Sequence, residues 1–506
     1  MYRHAYGMSG LAMLTAALLS GCAISPTALT SEELAIGTQD KLARVTRDQE
    51  PISGPIDLRQ AMARALKYNL DKRVEVYETS LRVAELDLAG INGLPSLVAS
   101  SGFTNRNNTA ASSSYNLQTG SQNYSYSTSQ DNRDKTAELT FSWNVLDFGL
   151  SYVRARQAAD KALMAEENRR KVVHRLMEDV RTAYWRAYSA QQLSTRLRTL
   201  ERRTRMALAS SSALAGDRTT SPLTALTYRR ELIEIQRNLL ELQRDLAVAK
   251  FQLAALMNVA PGTPFTLVAP TPAAFPVLSA PPAEMIRTAL DNRPEIRDVE
   301  YKKRVNSREA DAALLELLPG IQLYGGPNYD STSYLLNGHW LSWGAKASWN
   351  VLKVFQYPAH KNITEAQDQA LDQRALALTM AIMTQVHVSR ARLALFRGEV
   401  ATATDYNDTQ QQLLRVIRSE HDADKVSEQT LLREELNAAV GQVRLGIAKA
   451  SLETSKANLL SSMGLDPAGD AASATSSVAE IVTAMRHGRS VASTADRPPT
   501  LIKIKE

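Results

Sequence analysis

Hydrophobic residues follow two different periods along this chain, and each period predicts a type of element. Between residues 155 and 190 they recur at alternating spacings of three and four, which indicates a long helix packed through a narrow, alanine-rich seam. Between residues 135 and 144 the period is two, which indicates a strand with one apolar and one polar face. The apolar face of that strand consists of Ala137, Leu139, Phe141 and Trp143. Both patterns return later, the strand at 341–349 and the helix at 371–393.

This return is an internal duplication. Residues 143–261 reappear in 349–467 at a constant shift of 206, and a shift of 224 relates the segments that precede them. A fixed internal period predicts two copies of one structural unit. Since the two shifts differ by 18, the first copy carries 18 extra residues between Pro95 and Trp143.

Each copy has the same predicted order: a short helix, a longer helix, two strands, a long helix and a return helix. In copy one these are helices at 56–66 and 70–93, strands at 97–105 and 135–144, and a long helix of about 65 residues. Gly216 stops this helix, and Ser221 followed by Pro222 starts the return helix.

The domain boundaries follow from the repeats and the composition. They are a signal peptide at 1–21, a tether at 22–54, a first repeat at 55–261, a proline-rich strap at 262–282, a second repeat at 283–468 and a largely disordered tail at 469–506. The tail has one predicted short helix at 477–486.

The amino terminus predicts export. A basic start and a short apolar run end in Leu19-Ser20-Gly21-Cys22, and Cys22 is the only cysteine in the chain. This box resembles the bacterial lipoprotein signal, which implies lipidation of Cys22 and, since Ala23 rather than aspartate follows it, an outer-membrane address. An ordinary signal peptide with an incidental cysteine is the alternative.

The segment that joins the first two strands is uncharged. Residues 107–130 contain only small, polar and tyrosine residues with one leucine, a composition that cannot bury a core and predicts a solvated, mobile loop. Long loops of membrane barrels lie on the outer side, whereas the turns on the periplasmic side are short.

A net charge of +6 and a pI near 9.2 are also found in proteins that bind nucleic acid. The densest basic run interrupts its arginines with Glu201 and continues a helical pattern, so a solvated helix face is the better interpretation and no nucleic-acid partner is predicted. The run consists of Arg196, Arg198, Arg202, Arg203 and Arg205.

Four strands in each chain cannot close a barrel, because the smallest single-chain bacterial barrels have eight. An open sheet in lipid leaves unpaired edges that cost several kcal/mol for each group. If the strands cross a membrane, the chain must therefore oligomerise, and three copies give twelve strands with a passage. A soluble antiparallel sheet packed on helices is the alternative.

The doubled plan resembles the TolC-type outer membrane factors, in particular their lipidated branch. The resemblance covers about residues 55–468 and depends on Asn69-Leu70-Asp71, Leu94-Pro95, the run from Trp143 to Gly149, and the turn Gly216…Ser221. It implies a mainly α fold with a membrane β-barrel: a homotrimer with a twelve-stranded barrel continued by a periplasmic α-barrel. Trp143 and Trp349, each near a strand end, are expected at the membrane interface.

The resemblance also implies partners. The tips of the helices would dock to a periplasmic adaptor (a membrane fusion protein) and an inner-membrane transporter of the RND or ABC type, with lipid around the strands. The residues expected at these tips are Gly216, Asp217, Arg218, Asp422 and Ala423.

Two departures from the family pattern stand out in copy two. Lys353-Val354-Phe355 replaces Asp147-Phe148-Gly149, so the second strand-to-helix junction is expected to bend differently. Asp422 and Asp424 occupy the turn where the family pattern has glycine, and together with Glu428, which matches an acidic position of the family, they are predicted to form an acidic periplasmic gate that filters for cations. Ordinary solvated turn acids are an equal alternative.

Catalysis finds no support in the sequence. The seven histidines have no paired ligand spacing, and the chain has neither a glycine-rich phosphate loop nor a nucleophile-elbow serine. No enzyme activity, cofactor or metal is predicted. The predicted function is an outer-membrane export duct for drugs or other small molecules; type I protein secretion and a pore-less coiled-coil spacer lipoprotein are the alternatives.

Overall fold

The computed structural model describes residues 28–47, 49–214, 222–269, 279–465 and 477–487. The chain divides into an amino-terminal unit, Met1–Pro51, and a body, Ile52–Glu506. In the amino-terminal unit, helix α1 (Ser31–Val45) begins with a capping box, in which Thr30 and Glu33 each accept a backbone N–H of the other. The predicted signal peptide and Cys22, the predicted lipidation site, lie outside the described residues.

The first repeat starts with two helices at a sharp corner. Helix α2 is Leu58–Tyr68 and helix α3 is Leu70–Ile91. Helix α2 begins two residues later than the expected 56–66, because the Asp57 side chain caps it by accepting the Gln60 N–H. Asn69 ends α2 and caps α3 in the same way, and Asn92 ends α3 shortly before Pro95.

The strands and long helices follow in the predicted order. They are β1 (Ser96–Asn105), β2 (Ala111–Asn116), β3 (Ser121–Thr128), β4 (Arg133–Asn144), α4 (Val145–Leu214) and α5 (Pro222–Leu256). The second repeat contains α6 (Pro282–Asn292), α7 (Pro294–Leu315), β5 (Gly320–Asp330), β6 (His339–Ser348), a 3₁₀ helix (Val351–Gln356), α8 (Tyr357–Asp422) and α9 (Glu428–Ser462). Helix α10 is Val478–His487, which confirms the predicted short helix in the tail.

The duplication is confirmed at the level of element boundaries. A shift of 224 carries both ends of α2 and α3 onto the ends of α6 and α7, and a shift of 206 carries both ends of α5 onto those of α9. Asn258 and Gly464, equivalent positions just after the return helices, both adopt positive φ, of 56° and 69°. Each completes a C-cap in which the following N–H reaches back five residues.

One local difference from the expected elements is found, and one expected difference between the repeats is confirmed. The uncharged segment is not an irregular loop: β2 and β3 pair as an antiparallel hairpin with exposed side chains, because its alternating serines and tyrosines suit strands and Gly120 permits the turn at φ 67°. The second strand-to-helix junction does differ from the first. Chain entry into α8 passes through the 3₁₀ helix, whereas α4 follows β4 directly.

The four strands of the two repeats form one antiparallel sheet in the order β1-β4-β5-β6. Each repeat supplies a hairpin, and the two hairpins meet at the β4–β5 ladder. Below the sheet the four long helices pack side by side in the order α5-α4-α9-α8. Helix α7 packs on both α4 and α8, whereas α3 packs on α4.

Packing between the helices is apolar, in several clusters. The largest surrounds Tyr184 and gathers residues of α2, α4, α5 and α10. The Tyr184 hydroxyl lies 2.8 Å from the Ile56 carbonyl oxygen and 2.7 Å from that of Val268, so it ties the described end of the strap to the body. Leu267 also pairs with Ile56 in a short parallel bridge. The predicted alanine seam is confirmed where Ala162, Val180, Ala187 and their neighbours are buried.

Candidate functional site

The sheet has one continuous apolar face. In the observed register Leu97 lies opposite Phe141, Trp143 opposite Leu323, and Leu323 opposite Ala345, so the apolar residues of all four strands align. Trp343 and Leu341 on this face are 84% and 73% exposed. An exposed apolar surface of this extent marks an interaction with lipid or protein. The predicted apolar face of β4 is confirmed.

The opposite face of the sheet is polar and cross-linked. Ser100 donates to Glu138 at 2.7 Å, Gln322 donates to Ser142 at 2.7 Å, and Asn328 donates to Ser342 at 2.7 Å. These bonds join each pair of neighbouring strands. The sheet can therefore lie between an apolar medium on one side and water on the other.

Two glycines of β5 and β6 make tight contacts, and that of Gly326 is with backbone. A Cβ at Gly326 would collide with the Leu139 carbonyl of β4, and one at Gly344 would lie 2.6 Å from the Tyr324 hydroxyl. Gly326 therefore lets the β4 backbone approach β5 closely, and Gly344 leaves room for the ring of Tyr324.

The two tryptophans lie where the sheet meets the helices. Trp143 packs edge-on against Phe148, with ring centroids 5.8 Å apart, and its indole nitrogen is buried without a hydrogen-bond partner among the described residues. Trp349 is exposed, and its indole N–H donates to the Leu317 carbonyl at 2.8 Å. Both rings thus lie at one edge of the apolar face; their place at a membrane interface stays a prediction.

At the far end of the helices, residues 422–428 form the turn between α8 and α9. The Lys425 N–H donates to the Glu420 carbonyl and the Asp424 N–H to the His421 carbonyl, both at 2.9 Å. Asp424 has φ 57°, the left-handed conformation that glycine usually supplies at the end of a helix. This geometry leaves Asp422, Ala423 and Asp424 exposed.

Glu428 differs from the two turn aspartates because an arginine of the other repeat binds it. Its carboxylate accepts from Arg203 of α4 at 2.7 Å and lies 3.1 Å from the His421 Nε2. Arg203 also pairs with Glu435, which in turn binds Arg418 at 3.0 Å. The three predicted gate acids are therefore not equivalent: all are exposed, but among the described residues only Glu428 pairs with an arginine, and this pair joins the two repeats.

Comparison of this architecture with known proteins gives matches among solved structures. The Campylobacter jejuni CmeC outer membrane channel superposes with a TM-score of 0.63 at 13% identity, covering 92% of this chain and 97% of that one. The open state of the Neisseria gonorrhoeae MtrE outer membrane channel gives 0.63 at 16%, covering 80% and 88%. CusC, described in connection with transmembrane channel formation, gives 0.60 at 18%, covering 82% and 95%. No protein-family model and no curated protein matches the sequence.

This chain has the fold of the TolC-type outer membrane factors. The resemblance read from the doubled sequence motifs is thereby confirmed at the level of fold.

Several residues expected to act in this outer membrane factor fold lie outside the described residues. They are Cys22 and the first turn, with Gly216, Asp217 and Arg218. In the part of the chain that the structure describes, no helix is both long and apolar enough to cross a membrane. Within the same residues no group of three or more His, Cys, Asp or Glu side chains could hold a metal ion.

The role of Arg203 does not follow from the sequence pattern. This arginine belongs to the basic run interpreted as a solvated helix face, and that interpretation suits Arg205, which pairs with Glu201 on its own helix. Arg203 instead bridges Glu428 and Glu435 on the return helix of the other repeat. No local pattern distinguishes the two arginines, because the partners of Arg203 are more than 220 residues away in sequence.

Proposed function

We propose that this chain forms the outer-membrane exit duct of a tripartite export system for drugs or other small molecules. It works as a homotrimer that receives substrate from an inner-membrane transporter through a periplasmic adaptor. The observation that carries the proposal is the sheet: its apolar face is exposed, its other face is polar, and its two outer strands, β1 and β6, each pair on one side.

An open sheet of this kind is stable in lipid only after it has closed into a barrel. Exposed edge groups in the hydrocarbon cost several kcal/mol each, whereas pairing β6 of one copy with β1 of the next removes that cost. Three copies supply twelve strands with the apolar faces outward and the polar faces inward. The solved channels with the same fold, CmeC and MtrE among them, support this assignment.

The long helices set the distance that the duct bridges. Helix α4 has 70 residues and α8 has 66, and at 1.5 Å per residue each is roughly 100 Å long.

We assign the turn at Asp422 and Ala423, together with Gly216, Asp217 and Arg218, to adaptor docking. Asp422, Asp424 and Glu428 form the gate, and Cys22 carries the lipid anchor.

Mass spectrometry of the mature amino terminus tests that anchor: a diacylglyceryl-modified Cys22 is expected, and a free thiol there contradicts it.

Purified protein in detergent tests the duct directly. Light scattering should give three chains per particle, and planar bilayers should show discrete ion conductance after its addition. A monomer that adds no conductance would contradict the proposal.

The substrate class needs a cellular measurement. A strain that lacks this chain should retain more of a fluorescent efflux dye than the parent, and the chain supplied in trans should restore dye export. Unchanged dye retention with loss of a secreted protein would assign the duct to protein secretion instead.

A further inference from the structure

A cavity of about 490 Å³ lies among the long helices of the body. Helix α9 forms one side of it, and α4 and α8, the two neighbours of α9 in the row, flank it. The volume falls in the range of about 300–1,000 Å³ that is typical of sites for small molecules. No aspartate or glutamate is among the described residues that line it.

Two arginines line this cavity from opposite sides of α9. Arg186 belongs to α4 and Arg392 to α8, and the shift of 206 relates them, so one position of the repeat is used twice. Neither arginine forms a salt bridge with any residue that the structure describes. A cleft that is lined by charges of one sign concentrates ions of the opposite sign. The cavity therefore attracts anions.

Helix α9 presents a strip of polar side chains between the two arginines. The strip consists of Ser451, Thr454, Ser455 and Asn458, which share one face of the helix. The Thr454 hydroxyl lies 3.3 Å from that of Thr182 on α4. In α5, the equivalent helix of the first repeat, Val248 stands at the position of Thr454. The duplication alone thus does not account for the polar strip.

Asn458 contributes a buried polar atom without a partner. Its amide oxygen is buried and has no hydrogen-bond partner among the described residues. Buried polar groups are hydrogen-bonded in the great majority of cases, so an atom of this kind points to a water or a ligand group. Since Asn458 lines the cavity, such a partner can lie there.

The cavity also has an apolar part. Phe396 of α8 and Ile447 and Ala450 of α9 belong to its lining, and Ile447 is 51% exposed. An inorganic anion would leave these side chains uncovered. An organic anion gains free energy by burying its hydrocarbon part against them.

The arginine side of α4 faces away from the described end of the strap. Tyr184, two residues before Arg186, binds the carbonyls of Ile56 and Val268. Successive residues are about 100° apart around a helix, so Arg186 lies about 200° from Tyr184. The strap at Val268 therefore leaves this side open, and both arginines are exposed. A ligand can enter the cavity from solvent.

We propose that this cavity binds an organic anion, a molecule that joins a carboxylate, sulfonate or phosphate group to an apolar body. Arg186 and Arg392 hold the charged group from two sides, because the guanidinium fork matches the oxygens of such groups. The hydroxyls of the α9 strip supply further donors, and the apolar body lies against Phe396 and Ile447. The site belongs to one chain and does not depend on the proposed duct.

Equilibrium dialysis with 2-naphthalenesulfonate as the probe tests the site. The full-length protein in nanodiscs, corrected with empty nanodiscs, should bind it saturably. The neutral 2-naphthalenesulfonamide has the same rings and should bind at least about tenfold more weakly, because it lacks the charge-assisted contacts. Absence of saturable binding, or equal binding of the two probes, would overturn the proposal.

Arginine variants locate the site. Arg186→Gln and Arg392→Gln should each weaken binding of the sulfonate about tenfold, because each removes a charge-assisted contact. Arg392→Lys keeps the charge and should retain more binding than Arg392→Gln. The matched control is Arg390→Gln, which removes an exposed arginine of α8 that does not line the cavity. Equal loss in the Arg390 and Arg392 variants would show attraction by surface charge only and overturn the site.

The apolar contact has its own test. Phe396→Ala should weaken binding of 2-naphthalenesulfonate several-fold, because less apolar surface is buried, and should leave competition by inorganic phosphate unchanged. Inorganic phosphate that displaces the probe as well as the unbound sulfonate itself does would contradict an organic ligand.

The site and the duct can fail separately. Conducting trimers without saturable binding of the sulfonate would overturn the site and leave the duct. Binding that the arginine variants lose, in a protein without conductance, would support the site and overturn the duct.

Discussion

Lys72 shows how one residue can depart from an otherwise duplicated structure. It is buried at the corner of α2 and α3, and its ammonium donates to the Leu66 carbonyl at 2.8 Å. Burial, and secondarily the nearby Arg169, lower the pKa of Lys72 from 10.5 to about 8. The counterpart in the second repeat is Ile296, which packs at the edge of an apolar cluster. An aliphatic side chain therefore fits the equivalent corner.

The depressed pKa of Lys72 predicts a pH-dependent stability. Between pH 8 and 10.5 the unfolded chain keeps a proton on Lys72 that the folded chain has released, so the free energy of unfolding rises with pH across this window. Below about pH 8 both states are protonated and the slope vanishes. Lys72→Ile should remove this part of the slope in urea titrations followed by tryptophan fluorescence.

The exposed lysine of an ion pair serves as the control for Lys72. Lys361→Met, which removes a lysine paired with Glu365 at 3.6 Å, should leave the slope as in the unsubstituted chain. An equal slope in the Lys72→Ile variant and the unsubstituted chain would show that Lys72 does not titrate in this window.

At the scale of elements, strand alternation gives the sheet one apolar and one polar face. Leu341 lies on the apolar face opposite Pro327, and Ser342 lies on the polar face, where its hydroxyl accepts from Asn328. The two residues are adjacent in β6 and differ in the side of the sheet that they occupy. They therefore form a matched pair for testing which side contacts lipid.

Leu341→Lys should strongly reduce the amount of assembled protein in the outer membrane. A lysine on the lipid face of a membrane strand costs about 2–4 kcal/mol near the bilayer midplane, whereas changes on the inner face cost little. Ser342→Lys should retain assembly. The measurement is the fraction of heat-sensitive oligomer in outer-membrane extracts, and equal loss in both variants would contradict a lipid-facing Leu341.

At the scale of the whole molecule, the turn between α8 and α9 can surround an opening only when several copies assemble. Asp422, Asp424 and Glu428 are all exposed there, but among the described residues only Glu428 is held by an arginine, Arg203. Each chain thus presents two carboxylates, those of Asp422 and Asp424, without such a partner. In a trimer the same turn would place six such carboxylates around one opening. The acidic gate of the proposed duct therefore depends on the aspartates more than on Glu428.

Asp422→Asn combined with Asp424→Asn should reduce the preference for cations in bilayer recordings. The reversal potential in a salt gradient is expected to move toward zero while the conductance persists, because the charge is removed and the pore remains. Asparagine also tolerates the positive φ of Asp424, so the turn is kept. Asp311→Asn, on α7, is the control, and an unmoved reversal potential in the double variant would make the aspartates surface residues.

Periodicity along the sequence was sufficient to predict the helices and strands and their repetition. The helices of both repeats, the apolar face of β4 and the different junction before α8 all follow from neighbouring residues. The hairpin at 111–128 did not, because a composition without charge suits both a loop and exposed strands.

What the sequence by itself determined was the duplicated order of helices and strands and the side of each strand that is apolar. Only the tertiary structure decided that the two hairpins join through β4 and β5, that Arg203 binds across the repeats, and that α5 and α8 end the row. The physical reason is the distance along the sequence between the residues that interact. Backbone geometry repeats every two or 3.6 residues and marks the local sequence, whereas a partner 200 residues away leaves no local mark.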